Sequence, residues 1–579
     1  MTAVRAMLLC AGAILFIGGN LARVAAQETP PVPAPNPSAL PVAIDVDLGQ
    51  KIGAWRPIYA WFGYDEGNYT NTTAGVKLLR ELHDLSPAPV YVRFHHLLSS
   101  GDGTPELKWS STGVYHEDAN GKAIYNFVIL DGIFDALVKA GVRPFVELGF
   151  MPQDLAASLP NRHEPYQVHF PGSTTAGASN NPPKDYAKWG ELVRVVAAHL
   201  VERYGRRAVL TWYFEVWNEP DIDYWHASPE DYWKLYDYAV ASERAALPGA
   251  RVGGPATTGP GGAKAAAFLE GFLQHVSSGR SAVNGKPVPL DFISFHAKGQ
   301  LALEDGQVRM GLDHELTDAD RGFAIVAKFR QLRHLPVILS EADPEGCAAC
   351  SSRQNPANNY RNGAQYPAYT AAAYKALIDL GNRRGVDLAA MLTWAFEFEG
   401  RDYFQGFRSL STNGIDKAIL NFFRMAGLMN GERVRATSSG AMTLDGLVSG
   451  HAANNRDVDV LATKSADGAA ALLWNYAATE RAGSPSVVSL RMRHVPLGMG
   501  RVLVSQYRID AMNSNAYSVW KAMGSPQHPA AEQLAELQDR DGLELMGPPR
   551  WVEVEGGSVT LQTELPAESV ALVTLRWER

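Results

Sequence analysis

Apolar and polar positions follow a strand-then-helix order along most of this chain. Between residues 57 and 396, short runs rich in apolar and β-branched residues are separated by segments with apolar residues at helical spacing. The predicted strands are Pro57–Tyr64, Pro89–Leu98, Arg143–Met151, Leu210–Glu219, Ala250–Thr258, Leu290–Gly299, Pro336–Glu341 and Leu388–Phe396. The predicted helices include Val76–Leu85, Phe127–Ala140, Asp185–Tyr204, Pro229–Ala246, Ala319–Gln331 and Thr370–Gly381.

This order predicts an α/β fold. Eight successive strand-then-helix units indicate a (β/α)8 TIM barrel with inserted loops. The first strands are nearly continuous apolar runs, as expected when both faces of a parallel sheet are covered. A doubly wound open sheet is the rival fold, but no Gly-x-Gly-x-x-Gly follows the first strand and no phosphate-binding loop is present.

Past Gly431 the apolar period changes to about two, which predicts a C-terminal β-sandwich. The predicted strands are Val458–Thr463, Ala469–Tyr476, Val487–Arg493, Gly500–Ile509, Arg550–Val554, Ser558–Glu564 and Ser569–Trp577. The segment Pro41–Lys51 is also strand-like and able to pair into that sandwich. We therefore assign residues 43–431 to the barrel, with 43–51 as a candidate sandwich strand, and residues 432–579 to the sandwich.

The amino terminus has the features of a targeting segment. Arg5 supplies a positive charge, residues 6–19 are apolar, and Val24-Ala25-Ala26 ends in a small-x-small cleavage pattern. The apolar run is shorter than the ~20 residues that cross a bilayer, which argues against a membrane span. We therefore expect residues 1–26 to be a signal peptide and the protein to be exported to the periplasm or the exterior. The Pro-rich residues 27–42 are interpreted as an extended leader.

Composition excludes several classes. Of 579 residues, 46% are hydrophobic and 20% charged, so a mainly disordered chain is excluded. The net charge is −8 and no Lys/Arg run tracks a phosphate backbone, which disfavours a nucleic-acid partner. Past the signal segment the chain has two cysteines, Cys347 and Cys350. This C-x-x-C is compatible with a local disulfide, a redox pair or half of a zinc site, but no second cysteine pair completes a zinc site.

Two carboxyl groups stand at the ends of predicted barrel strands. Glu219 ends the fourth strand and Glu341 ends the seventh. Because these strands face each other across a closed barrel, the two side chains can converge over its mouth, where barrel chemistry is located. Glycoside hydrolysis needs such a pair, one carboxyl protonated as acid and the other ionised. Proximity helps, since the charge on one raises the pKa of the other.

Longer phrases around these residues resemble a known family. They are Val92-Arg93-Phe94-His95, Glu147-Leu148-Gly149-Phe150-Met151-Pro152, Phe214-Glu215-Val216-Trp217-Asn218-Glu219-Pro220-Asp221, Asp291-Phe292-Ile293-Ser294-Phe295-His296 and Ser340-Glu341-Ala342-Asp343-Pro344. The chain resembles glycoside hydrolase family 39, which contains β-xylosidases and α-L-iduronidases and belongs to a clan of retaining barrel glycosidases. The resemblance implies Glu219 as acid/base, Glu341 as nucleophile and Asn218 as ligand of the sugar 2-hydroxyl. Retention predicts a carboxyl separation of about 5–5.5 Å.

Further strand-end residues have two interpretations each. His95 and His296 end the second and sixth strands, so each either hydrogen-bonds the sugar or Glu341, or is a packed histidine. Trp394, near the end of the eighth strand, is either a platform under the sugar ring or a core residue. Arg93 lies deeper, where a charge must be paired, and a buried ion pair with Glu215 is expected.

Lys298 departs from the xylosidase pattern. The phrase His296-Ala297-Lys298-Gly299 looks more like that of the iduronidases, and a cation at Lys298 suits a sugar carboxylate. The commoner alternative is a solvated loop lysine. The reaction type is therefore better defined than the sugar.

The sequence as a whole predicts a retaining exo-glycosidase, most simply a β-xylosidase acting on xylo-oligosaccharides or related glycosides. An iduronidase-like or other uronic-acid-directed enzyme is the alternative. A non-catalytic carbohydrate-binding or exopolysaccharide-assembly protein is the alternative of another class, disfavoured because both Glu219 and Glu341 are present. No metal or organic cofactor is expected, and neither H-E-x-x-H nor Gly-x-Ser-x-Gly occurs.

Overall fold

Strands and helices alternate in the structure in the order that the sequence predicts. The computed structural model describes residues 40–158, 178–304, 306–450, 456–479, 485–496, 498 and 500–577. The predicted signal segment, residues 1–26, and the first part of the predicted leader, residues 27–39, lie outside the described residues.

Parallel strands close into a barrel. The strands are Trp61–Tyr64, Tyr91–Phe94, Arg143–Leu148, Tyr213–Val216, Arg251–Thr257, Phe292–Lys298, Pro336–Asp343, and an eighth strand in two segments, Asp387–Met391 and Thr393–Trp394. The first segment of the eighth strand pairs with the seventh strand and the second segment pairs with the first strand, which closes the cylinder. The predicted TIM barrel is confirmed.

A helix follows each barrel strand and covers the outside of the cylinder. These helices are Thr73–His83, Val128–Ala140, Tyr186–Tyr204, Pro229–Ala246, Ala263–Ser278, Leu312–Lys328, Gln365–Arg384 and Ala418–Leu428. The strands are buried on both faces because side chains fill the cylinder and the helices pack outside it. Their carboxyl ends therefore meet at one rim of the barrel.

The second domain is a nine-stranded sheet. Its strands are Leu40–Ala54, Glu432–Ser438, Arg456–Lys464, Gly468–Ala477, Ser486–Arg493, Arg501–Ile509, Arg550–Glu553, Ser558–Leu565 and Ser569–Arg576. The sheet encloses its own core, to which alternate residues such as Val46, Leu490 and Val573 contribute from distant strands. The predicted β-sandwich is confirmed.

The amino-terminal strand belongs to this second domain. Leu40–Ala54 pairs antiparallel with Glu432–Ser438 and parallel with Ser486–Arg493. It begins at Leu40, inside the range assigned to the leader, because the alternation of Val42, Ile44 and later apolar residues buries one side of the chain in the sandwich core.

Barrel and sandwich share an apolar interface. Helix Gln365–Arg384 packs on strands Gly468–Ala477 and Ser569–Arg576. Trp474 and Leu572 on those strands join the hydrophobic cluster of the barrel. Two short helices of the sandwich, Ala516–Ala522 and Ala531–Asp539, pack against Phe404, in the loop after the eighth barrel strand, by means of Trp520 and Leu537.

No helix in the described part of the chain combines the length and the apolar character that a membrane span requires.

Glu243 is a buried carboxyl that should make stability depend on pH. It lies in helix Pro229–Ala246 with 0% exposure, and among the residues that the structure describes neither carboxyl oxygen has a hydrogen-bond partner. Burial raises its pKa to about 8. Between the ordinary carboxyl pKa and about 8, the unfolded chain releases this proton while the folded chain keeps it, so folding stability falls as pH rises.

We therefore expect Glu243→Met to raise the melting temperature at pH 8 more than at pH 5. The expected gain at pH 8 is several kcal/mol in the free energy of unfolding, on the order of 1.4 kcal/mol per pKa unit. Thermal unfolding followed by circular dichroism at both pH values measures it. Equal effects at the two pH values would contradict the assignment.

Candidate active site

The two predicted carboxyls lie at the rim where the barrel strands end. Glu341 is in strand Pro336–Asp343 and is 6% exposed. Glu219 follows strand Tyr213–Val216 and has a positive φ of 45°. Its backbone N–H donates to the carbonyl oxygen of Ala256 on the neighbouring strand at 2.8 Å. Left-handed backbone at a non-glycine residue is disfavoured and concentrates at functional sites, so this turn is held by its surroundings.

His296 joins the two carboxyls. Its Nδ1 lies 2.9 Å from Oε1 of Glu219, and its Nε2 lies 3.7 Å from Oε1 of Glu341. The imidazole has 0% exposure. His296 lies on strand Phe292–Lys298, between the strand that carries Glu341 and strand Arg251–Thr257, which contains Ala256. The structure thus places both carboxyls around one imidazole ring.

Glu341 is surrounded by cationic groups. Nζ of Lys298 lies 2.7 Å from its Oε2, while Nε2 of His95 and Nη1 of Arg93 each lie 3.4 Å from its Oε1. Burial raises the pKa of Glu341, but the electrostatic interactions with His296 and Lys298 and the hydrogen bond with His95 outweigh burial and hold that pKa well below its ordinary value. Glu341 is therefore ionised at neutral pH.

Arg93 organises the floor of the site. Its Nε lies 2.6 Å from Glu215 and its Nη2 lies 2.8 Å from Glu147, with all three side chains fully buried. The ion pair expected between Arg93 and Glu215 is present. Nη2 also donates to Oδ1 of Asn218 at 3.0 Å. Because the guanidinium is planar and rigid, these contacts fix the orientation of the Asn218 amide.

His95 is held as a cation. Its Nδ1 lies 2.5 Å from Oε2 of Glu147. Burial lowers the pKa of His95, but the negative charge of Glu147 and its hydrogen bond outweigh burial and raise the pKa to about 9. The other ring nitrogen faces Glu341, so His95 presents a positive charge to that carboxylate.

Trp394 packs against residues of the site and is itself buried. It is 1% exposed, its Nε1 donates to Oδ1 of Asp65 at 2.7 Å, and its ring lies 4.3 Å from that of His95. The guanidinium of Arg93 lies 4.9 Å from the indole centroid. The structure does not present Trp394 as an open platform for a sugar, since its neighbours cover the ring.

Lys298 lies in a strand, not in a loop, and its side chain is mostly buried, at 17% exposure. It is the last residue of strand Phe292–Lys298, and its ammonium lies 2.5 Å from Asp343 as well as 2.7 Å from Glu341. Asp343 also accepts from the backbone N–H of Trp394 at 2.9 Å and lies 3.5 Å from Arg408. Asp343 thus holds Lys298 beside Glu341.

The loop after the seventh strand is linked to Asp343 through ion pairs and hydrogen bonds. Arg408 lies 2.8 Å from Glu345, and Glu345 also pairs with the buried Arg361 at 2.5 Å. Arg361 donates to the carbonyl oxygen of Cys350 at 2.8 Å, and Cys347 and Cys350 are joined by a disulfide. The C-x-x-C motif is therefore part of the support for Asp343.

The sequence did not single out several residues that the structure brings to the site. Asp65 and Asp343 lie at the ends of the first and seventh strands, so the strand-end rule was sufficient to find them. Glu147 is the penultimate residue of the third strand and, like Asp343, occurs in one of the phrases that resemble the family. Lys108 lies in the loop after the second strand, and no local pattern marks it.

The contact between Lys298 and Glu341 has a consequence for pH dependence. In Lys298→Met a cation 2.7 Å from the carboxylate is lost, so the pKa of Glu341 should rise. We expect the acidic limb of the kcat/KM profile to move to higher pH by roughly one to three units, the range of a nearby opposite charge. Lys375→Met is the control, because this half-buried lysine pairs with Asp379 on its own helix and with Asp459 of the sandwich. An unmoved acidic limb in Lys298→Met would contradict this electrostatic role.

Comparison with known proteins decides the family. The sequence matches the family described as Glycosyl hydrolases family 39 over residues 91–548. The chain belongs to glycoside hydrolase family 39. It is 28% identical to a β-xylosidase from Geobacillus stearothermophilus, over 77% of this chain and 79% of that protein. It is 25% identical to the α-L-iduronidase of Mus musculus, over 78% of this chain and 68% of that protein.

The fold agrees with that of solved members of the family. A monomeric β-xylosidase from Caulobacter crescentus CB15 superposes with a TM-score of 0.70 at 23% identity, covering 92% of this chain and 99% of that one. This family 39 chain is a glycoside hydrolase, and its substrates are carbohydrates. In the described residues, no group of three or more His, Cys, Asp and Glu side chains is arranged to hold a metal ion.

Proposed function

We propose that this glycoside hydrolase is a retaining β-xylosidase in which Glu341 is the nucleophile and Glu219 the acid/base. The observation that carries the proposal is the pair of carboxyls around His296, one held ionised by cations and the other at the mouth of the site. Glu219 is the more exposed of the two side chains, at 17% against 8%, as suits a group that must reach a leaving group and then water.

In the first step, an oxygen of Glu341 attacks the anomeric carbon while the bond to the leaving oxygen breaks. Glu219 gives its proton to that oxygen, and a covalent glycosyl-enzyme forms. In the second step, Glu219 takes a proton from water as the water oxygen attacks the anomeric carbon and releases Glu341. Two displacements at one carbon retain its configuration.

Asn218 is oriented for the sugar 2-hydroxyl. Its Oδ1 accepts from Arg93 at 3.0 Å, which directs the Nδ2 donor away from the guanidinium. A donor aimed at the 2-hydroxyl strengthens its hydrogen bond as the transition state acquires oxocarbenium character. Asn218 therefore contributes to the rate as well as to binding.

The β-xylosidase relatives support the sugar, and a substrate panel tests it. The assay measures kcat/KM on 4-nitrophenyl β-xyloside, α-arabinoside and β-glucoside and on the 4-methylumbelliferyl α-iduronide. We expect the xyloside to be the best substrate. An iduronide turned over faster than the xyloside would replace this proposal by the uronide one.

A uronic-acid-directed activity is the second candidate because of Lys298. Its ammonium lies beside the reacting carboxylate, its side chain is 17% exposed, and a cation at that place suits a sugar carboxylate. Two protein carboxylates already contact it, at 2.5 and 2.7 Å. A substrate carboxylate would have to share the ammonium with them, which is why the xyloside is placed first.

We further propose that the protein is exported through cleavage after Ala26. Arg5, the apolar residues 6–19 and the small-x-small pattern support cleavage, and the disulfide between Cys347 and Cys350 suits an oxidising compartment. The mass of the protein recovered from the periplasm or medium should correspond to a start at Gln27. A protein retaining Met1 in that fraction would contradict the cleavage site.

A further inference from the structure

A buried ion pair beside Glu341 has no part in the mechanism above. Asp65 directly follows the first barrel strand, and its Oδ2 lies 2.6 Å from Nζ of Lys108. Its Oδ1 accepts from Nε1 of Trp394 at 2.7 Å. Asp65 is 4% exposed, and the Lys108 side chain is 14% exposed, close to the 17% of Glu219.

This pair lies close to the reacting carboxylate. Nε2 of His95 is 3.5 Å from Oδ1 of Asp65 and 3.4 Å from Oε1 of Glu341, so one ring nitrogen spans the two carboxylates. Asp65 comes from the first strand, whereas Glu219 follows the fourth. The pair therefore faces Glu341 from a different part of the rim than the acid/base does.

Lys108 is held in place by its own backbone. Its φ is 59°, a left-handed conformation that a lysine rarely adopts. Its N–H donates to Oε1 of Glu66 at 2.7 Å, and Glu66 is completely buried. Such strain persists only where the surroundings impose it, and it concentrates at binding sites. The ammonium of Lys108 contacts Asp65.

The pair has unused hydrogen-bonding capacity. An ammonium has three donors, and Asp65 is the one ion-pair partner that Lys108 has among the residues the structure describes. Burial raises the pKa of Asp65, but Lys108 and His95 hold it at about 2, so it is an ionised acceptor. A sugar hydroxyl is donor and acceptor at once, and a carboxylate beside an ammonium satisfies both roles.

We propose that Asp65 and Lys108 bind the hydroxyls at C3 and C4 of the sugar whose glycosidic bond is cleaved, and thereby select that sugar. The inference rests on the proposed roles of Glu341, Glu219 and Asn218. In those roles, Glu341 reacts with the anomeric carbon, Glu219 with the leaving oxygen, and Asn218 binds the 2-hydroxyl. The polar edge of a pyranose that remains is the one carrying the 3- and 4-hydroxyls. The pair Asp65–Lys108 is a polar pair on another part of the rim, joined to Glu341 through His95.

The test uses aryl β-xylosides in which the 3- or the 4-hydroxyl is replaced by hydrogen. For the unmodified protein, kcat/KM should fall by roughly tenfold to hundredfold on at least one deoxy substrate, as expected for a lost hydrogen bond to a charged group. In Lys108→Met the parent and that deoxy substrate should be cleaved with kcat/KM values within about threefold of each other. A residue that only stabilised the fold would lower both rates and leave their ratio unchanged.

Two further variants keep the test decisive. Asp65→Asn combined with Lys108→Met removes both charges, so no unpaired carboxylate stays buried if Lys108→Met alone folds poorly. Lys375→Met removes a half-buried lysine of helix Gln365–Arg384 that pairs with Asp379 and with Asp459 of the sandwich. This variant should keep the ratio of the unmodified protein. The proposal is overturned if the unmodified protein cleaves both deoxy xylosides as well as the parent xyloside. It is also overturned if folded Lys108 variants have the same ratio of kcat/KM, parent to deoxy substrate, as the unmodified protein for both deoxy xylosides.

Failure of the proposed function would look different. If the unmodified protein does not cleave the parent xyloside, the sugar assignment is wrong, and the same ratios are measured on the best glycoside of the panel with its deoxy analogues. If Glu341→Gly retains activity, the catalytic assignment is wrong whatever the ratios show.

Discussion

Glu341→Gly should lower kcat/KM on aryl β-xylosides by roughly four to six orders of magnitude, the scale seen when a catalytic nucleophile is removed. The groups that contact Glu341 cannot take over its role. Lys298, His95 and Arg93 surround Glu341 within 3.4 Å and are cations, so none of them replaces a carboxylate that attacks carbon. Stopped assays with 2,4-dinitrophenyl β-xyloside measure the loss.

Azide separates loss of the nucleophile from loss of the fold. With Glu341 removed, a small anion can occupy the space beside Lys298 and His95 and attack the anomeric carbon once, with Glu219 still supplying a proton. We expect release of dinitrophenol to recover as azide is raised, and the product to be the glycosyl azide of inverted configuration. Failure of azide to restore release in a folded Glu341→Gly protein would remove Glu341 from the role of nucleophile.

A control variant should leave the rate unchanged. Asp402 lies on the surface, paired with Arg353 at 2.5 Å and 39% exposed, in the loop after the eighth strand. Asp402→Asn removes a negative charge from the same end of the barrel without touching the cations around Glu341. Its kcat/KM should stay near that of the unmodified protein, since exposed ion pairs contribute little.

Glu219→Ala should have an effect that depends on the leaving group. A proton donor matters most when the leaving oxygen is basic, so kcat/KM on alkyl xylosides and xylobiose should fall by about 10²- to 10⁴-fold. With 2,4-dinitrophenol as leaving group, the first step needs no proton and should stay fast, while hydrolysis of the glycosyl-enzyme becomes slow. A burst of dinitrophenol followed by slow turnover is the expected time course.

The configuration of the azide product also tests the role of Glu219 as acid/base. In Glu219→Ala it should attack the glycosyl-enzyme on Glu341 and yield the azide of retained configuration, opposite to the product from Glu341→Gly. The same azide configuration from both variants would contradict the division of labour between the two carboxyls. An equal loss on all leaving groups would contradict a role for Glu219 in proton transfer.

Much of the fold was predictable because the burial of a strand or helix produces a local pattern of apolar residues in the sequence. Barrel strands are covered on both faces, so they appear as short apolar runs, and each predicted strand has its counterpart in the structure. The predicted boundaries of helices and strands were wrong where polar residues interrupt the apolar pattern. Helix Leu312–Lys328 begins seven residues before its predicted start, because Asp313, His314 and Glu315 open it. The sandwich strand Glu432–Ser438 was not predicted, since charged residues alternate along it.

The same reasoning explains which site residues were found. Glu219, Glu341, His95 and His296 stand at strand ends, and a closed parallel barrel brings all strand ends to one rim. Their positions follow from counting strands. The assignment of Lys298 to a carboxylate site or to solvent did not follow, because its partners Asp343 and Glu341 lie on the neighbouring strand.

The sequence by itself determined the barrel, the sandwich, the family and the rim on which the carboxyls stand, because each of these is carried by local periodicity or by a short phrase. Only the tertiary structure decided that Trp394 is covered, that Lys298 contacts Glu341, and that Asp65 meets Lys108. Those contacts join side chains that are far apart in the chain, 329 residues in the case of Trp394 and Asp65. Their geometry depends on how strands close and loops return, which no local pattern records.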